Sequence, residues 1–147
     1  MVATRTCDIY ISQNSSYNKM ENAVKLSYDA IESNGTRPDL CPVIMMHGLF
    51  WNKFMLKDLA IKLNQMTQRK VFTLDLRNHG ESPCPKDCGA VLMAEDVKLF
   101  IDDMNLKRVS FVCHSFSSTI AYLVGLDRVR LLLSFTTFNQ KAEEKEH

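Results

Sequence analysis

Ser115 stands in the run Val112-Cys113-His114-Ser115-Phe116-Ser117-Ser118, where an apolar stretch ends and a helix-forming pattern starts at once. A serine on such a strand–helix turn has its hydroxyl lifted above the sheet, the geometry of a nucleophile elbow. The Phe116 N–H would then point at a developing oxyanion, and the positive end of the following helix would favour its charge. The elbow pattern wants glycine two residues either side of the serine. Here Cys113 and Ser117 occupy those places; both are small, which permits the turn but predicts a tighter, more strained one. The same residues also fit a Ser/Thr-rich helix start in which Ser115 or Ser117 merely caps.

Two further segments follow apolar runs. His47-Gly48-Leu49-Phe50-Trp51 puts a glycine directly after Pro42–Met46. A sharp backbone turn there would present N–H groups to an oxyanion, and a plain strand–helix connection would use the same residues. Asp75-Leu76-Arg77-Asn78-His79-Gly80-Glu81-Ser82 follows Lys70–Leu76. It reads as a rigid polar turn, with Asp75 and Arg77 pairing and capping backbone groups, ahead of direct catalysis.

These loops need elements to hold them. Val24–Ile31 is strand-like and Asn34-Gly35 signals a turn. Pro42–Met46, Lys70–Leu76, Arg108–Cys113 and Val129–Phe135 read as buried strands. Asn52 caps a helix from Lys53 to about Gln68, with Met55, Leu59, Leu63 and Met66 keeping one apolar face. Ala90–Asn105 is the clearest helix, through Met93, Val97, Phe100, Ile101 and Met104, and Ser117–Leu126 is another. Arg77–Gly89 is a loop. Strands alternating with single helices predict an α/β fold: a mostly parallel sheet flanked by helices in three layers, with its site beyond the carboxyl ends of the strands.

Composition narrows the function classes. At 147 residues with 46% hydrophobic residues and a net charge of +1, the chain can fold but lacks the basic field that holds nucleic acid. No apolar run is long enough to span a membrane or to serve as a secretory signal. Residues 1–22 read as disordered or weakly transit-like, 23–138 as the folded domain, and 139–147 as a charged tail. Five cysteines, an odd number, argue against a disulfide framework. Cys84 and Cys88 supply only half of a tetrahedral metal site, so no metal is expected. The chain has no GxGxxG, which speaks against a nucleotide-binding Rossmann domain.

Taken together, His47-Gly48-Leu49-Phe50, Asp75-x-Arg77-x-His79-Gly80-x-Ser82 and His114-Ser115 in this order resemble the α/β-hydrolase family. Within it they are similar to the group of α/β hydrolase domain-containing protein eleven and related bacterial esterases. The resemblance covers about residues 24–138. It implies a serine hydrolase acting on small-molecule esters, thioesters or acylglycerol lipids without a cofactor. Carried over by position, Ser115 is the nucleophile, and Leu49 and Phe116 supply oxyanion N–H groups. His47, Gly48, Cys113, His114, Ser117, Asp75, Arg77 and Gly80 support them. It also implies a mitochondrial setting, with cytoplasmic as the alternative, and no secretion.

The chain departs from that family in three ways. Trp51 stands where relatives carry glycine, the elbow glycines are Cys113 and Ser117, and the chain has only 5 glycines in all. Relatives are longer, with the acid and histidine of the triad after later strands, beyond a cap region. The chain therefore reads as the N-terminal half of the fold, truncated after the sixth strand. Of the four histidines, 47, 79, 114 and 147, none is a natural base for Ser115: elbow neighbours point apart, and the family gives His47 and His79 no proton-transfer role. The alternative to a hydrolase is a non-catalytic pseudoenzyme or a fragment that binds the full-length enzyme. An uncovered edge strand would also favour self-association.

Overall fold

The computed structural model describes residues 22–127 and 133–138. The proposed transit-like start through residue 21, the charged tail from 139 and the expected strand residues Val129–Leu132 lie outside the described residues. In chain order the elements are β1 (Tyr28–Ile31), β2 (Val43–Met46), a 3-10 turn (Lys53–Leu56) running into α1 (Lys57–Thr67), β3 (Val71–Leu74), α2 (Ala90–Asp103), β4 (Val109–His114), α3 (Ser117–Asp127) and β5 (Leu133–Phe138). They form one five-stranded sheet in the order β1-β3-β2-β4-β5. β2, β3, β4 and β5 pair in parallel, and β1 runs antiparallel along β3.

The strands are short apolar runs because both faces are covered. Val43 and Met45 of β2 and Val71 of β3 pack on Leu56 and Ala60 of the α1 layer. The alternate residues Ile44, Met46, Phe72 and Leu74 turn to the other face, against Met93, Val97 and Ile101 of α2 and Ile120 and Val124 of α3. This is the expected three-layer arrangement. α2 follows the apolar spacing seen in the sequence: Met93, Val97, Phe100 and Ile101 are all buried.

α1 does not pack on the expected stripe. Met55, Leu59 and Met66 are exposed, Met66 at 83%, while Lys53, Leu56, Ala60 and Asn64 are buried. The inward face carries two polar residues because each is fully bonded. Lys53 reaches Asp75, and the Asn64 amide donates to Thr36 Oγ1 and to the Arg69 carbonyl, both at 2.8 Å. A hydrophobicity count places Lys and Asn outside; satisfied hydrogen bonds let them in. The first turn is 3-10 rather than α, which also rotates the phase of the helix that follows.

The strand order positions the site. From central β2 the chain moves to β3 on one side, then returns through α2 to β4 on the other side. The loops leaving β2 and β4 therefore diverge and open a crevice at their carboxyl ends. The register pairs Met46 with Cys113, so the two strands finish level and deliver Gly48–Trp51 beside His114–Phe116.

Candidate functional site

Ser115 follows the last residue of β4 and precedes α3 by two residues. Its φ is 56°, in the left-handed region, which an L residue occupies at a cost of about 1–2 kcal/mol. The side chain is exposed, and among the described residues no group hydrogen-bonds to its hydroxyl. Backbone bonds from Ser118 N–H to the Ser115 carbonyl and from Thr119 N–H to the Phe116 carbonyl, each 3.0 Å, close the first turn of α3 around it.

The two residues in the glycine positions hold the turn. Cys113 is fully buried in the larger core, and burial pushes its thiol up to about 12, so it is an inert packing group. The Ser117 hydroxyl is also fully buried. Its one proton is shared between the Met46 carbonyl at 2.9 Å and the His114 carbonyl at 3.0 Å, and it accepts the His114 N–H at 3.0 Å. The expected extra strain is thus offset by a stitch tying the elbow to the end of β2, a bond glycine cannot make.

The loop after β2 lies directly against the elbow. A Cβ on Gly48 would sit 2.6 Å from His114 Nδ1 and 3.3 Å from the His114 carbonyl, so only glycine fits there. Trp51 stacks on the His114 ring at 4.3 Å between centroids and 16° between planes. Leu49 and Phe50 are exposed, and Phe50 has a φ of 64°. Among the described residues, neither the Leu49 nor the Phe116 N–H donates to a protein acceptor.

His47 is scaffold. Its Nε2 accepts the Leu76 N–H at 3.1 Å and its Nδ1–H donates to the Gly48 carbonyl at 2.8 Å. Both ring nitrogens serve the backbone in one neutral tautomer, and burial lowers the ring's pKa. His79 packs on His47 at 5.0 Å, with Nδ1 2.9 Å from the Arg77 carbonyl. Burial lowers the His114 pKa as well.

Asp75 and Arg77, expected to pair with each other, do not: each is buried and bonded to another partner. Asp75 takes Lys53: its carboxylate accepts the Lys53 ammonium and the Lys53 N–H, each at 2.7 Å, and the Glu81 N–H at 2.9 Å. Burial pushes the Asp75 pKa up, but the Glu81 N–H and Lys53 outweigh it and hold the carboxyl below its usual range. Gly80 permits this cage: its φ is +52°, and a Cβ there would lie 2.3 Å from the Asp75 carboxylate. Arg77 forks onto Asp96 of α2 with two 2.6 Å bonds, both side chains buried. Asp75 and Arg77 both lie past the end of β3, and the turn there sends Asp75 to Lys53 and Arg77 to Asp96 of α2. Lys53 and Asp96 were not apparent as site-supporting residues. Asp96 carried a signal, since an acid on the Met93–Val97–Phe100 stripe must be paired when the stripe is buried.

Cys84 and Cys88 are free and exposed. A cavity of about 580 Å³ lies at the opposite, amino end of the strands, lined among others by Arg37, Cys41, Lys70 and Arg108. It is remote from Ser115 and carries none of the elbow chemistry.

The α/β hydrolase fold family model matches residues 42–144. The mouse sn-1-specific diacylglycerol lipase ABHD11 is 34% identical over 103 residues, covering 70% of this chain and 33% of the lipase. A probable alcohol acetyltransferase of Saccharomyces cerevisiae is 35% identical over 117 residues, covering 72% and 33%. Among solved structures, a marine microorganism esterase superposes with a TM-score of 0.63 at 27% identity, covering 74% of this chain and 40% of that one. The chain thus spans about a third of the length of the curated relatives it matches. With that family model matching more than half of the chain, the chain belongs to the α/β-hydrolase family.

Proposed function

We propose that Ser115 is the nucleophile of a serine hydrolase acting on ester, thioester or acylglycerol lipid substrates. The observation that carries this reading is the exposed Ser115 at a φ of 56° on the turn between β4 and α3. In the reaction the Ser115 Oγ bonds to the acyl carbon, the acyl–oxygen or acyl–sulfur bond breaks, and the alcohol or thiol leaves with a proton. Water then releases the acid. The Leu49 and Phe116 N–H groups would take the oxyanion. The relatives' names, a lipase, an acetyltransferase and an esterase, support chemistry at an acyl ester.

A second reading, a non-catalytic pseudoenzyme or partner-binding fragment, is favoured by one specific observation. Among the described residues no histidine hydrogen-bonds to the Ser115 hydroxyl: both ring nitrogens of His47 serve backbone groups, His79 Nδ1 meets the Arg77 carbonyl, and the His114 ring stacks on Trp51. A fluorophosphonate probe separates the two. Labelling of the purified chain that vanishes in Ser115→Ala supports the nucleophile; no labelling of the wild-type chain supports the inert reading.

The same proposal places the protein in mitochondria, on the family resemblance and the Ser/Thr/Asn-rich start; a fluorescent fusion confined to the cytoplasm would refute that. It also includes self-association along β5, which among the described strands pairs only with β4. Sedimentation showing a concentration-independent monomer would exclude it.

A further inference from the structure

We infer that Trp51 is a positioning residue that clamps the oxyanion loop to the nucleophile elbow through the His114 ring; this rests on the hydrolase reading of Ser115. The His114 imidazole meets the same loop at two points. The first is the Gly48 backbone, so close that a single added carbon would meet Nδ1 at 2.6 Å. The second contact is the Trp51 indole, nearly parallel at 4.3 Å. Two residues of the loop, Gly48 and Trp51, thus hold the residue that immediately precedes Ser115.

The grip matters because the two proposed oxyanion donors sit on different strands' loops. Leu49 lies inside the span between the two contacts, and Phe116 lies two residues beyond the held ring. Nothing in the backbone of Gly48–Trp51 fixes that distance on its own: its internal bond, from Trp51 N–H to the Gly48 carbonyl, is 3.3 Å, and Phe50 is in the left-handed region. Leu49 and Phe50 are exposed and pack on little. The stack on His114 is a side-chain contact that joins this loop to the elbow.

Trp51 is the only tryptophan in the sequence, so its emission reports the stack directly. The test uses the full chain with Trp51→Phe, Trp51→Leu, His114→Phe and His114→Leu. Each variant is checked for an unchanged urea unfolding midpoint. First, Trp51 emission in His114→Leu shifts to the red relative to wild type and to His114→Phe; identical spectra overturn the stack. Second, fluorophosphonate labelling of Ser115 falls about tenfold in Trp51→Leu and returns to within about threefold of wild type in Trp51→Phe, because a stacked aromatic pair and a misplaced donor act on that scale. Equal labelling of Trp51→Leu and wild type, or no rescue by phenylalanine, overturns the clamp. If wild type itself is not labelled, the hydrolase reading fails, and hydrogen exchange at residues 48–51 decides the clamp alone. Faster exchange in Trp51→Leu than in wild type and Trp51→Phe supports it; equal exchange refutes it.

Discussion

Replacing Ser117 with alanine should destabilise the protein, and replacing it with glycine should do so at least as much, although glycine is the residue expected at an elbow of this family. The Ser117 hydroxyl is fully buried, shares its proton between the Met46 carbonyl at 2.9 Å and the His114 carbonyl at 3.0 Å, and accepts the His114 N–H at 3.0 Å. Removing it leaves one buried acceptor and one part-buried donor without that partner. At about 1–3 kcal/mol for a buried group left unmade, and less for the part-buried one, the loss comes to about 2–4 kcal/mol. Glycine adds up to about 1 kcal/mol through backbone freedom. With a urea dependence of about 1–3 kcal/mol per molar, the midpoint should fall by about 1–2 M with an unchanged slope. Urea titrations followed by circular dichroism measure this. A loss below about 0.5 kcal/mol in Ser117→Ala, or a gain in Ser117→Gly, would refute the idea that the hydroxyl stitches β2 to the elbow.

Gly80→Ala should cost at least about 2 kcal/mol, since the residue sits at a φ of +52° with the Asp75 carboxylate 2.3 Å from the new Cβ; a thermal midpoint equal to wild type would contradict this. His47 should titrate below its ordinary value of about 6.5, because burial disfavours its charged form and Nε2 faces the Leu76 N–H. A ring with a depressed folded-state pKa contributes stability that is complete above the unfolded pKa and declines as pH falls below it. Histidine NMR titration together with stability measured from pH 7 to 5 checks both; a His47 pKa above 6.5 would show that the assigned tautomer is wrong.

Much of the fold was legible because its signals are local. Alternate-face burial demands continuous apolar strands, and Ile44, Met45 and Val71 supply them; α2 needs one face, and Met93, Val97 and Ile101 keep 3.6-residue spacing. Ser115 was legible for the same reason: strand, serine and helix follow one another within a few residues. The face of α1 was not legible. Of the stripe Met55, Leu59, Leu63 and Met66 only Leu63 packs on the core, and the neighbours of Lys53 and Asn64 decide that their side turns inward. The partners of Asp75 and Arg77 were hidden too, since Lys53 lies 22 residues before Asp75 and Asp96 lies 19 beyond Arg77.

By itself, the sequence determined which residues form strands and helices, that the layers alternate, and that a serine stands on the turn after β4. Those properties follow from side-chain periodicity and turn chemistry within a few residues. Only the tertiary structure decided what surrounds that serine. The order β1-β3-β2-β4-β5 brings the ends of β2 and β4 level. That lets Ser117 bond across 71 residues to Met46 and lets Trp51 close over His114. Contacts between residues so far apart in the chain depend on which strands become neighbours, and no local pattern carries that information.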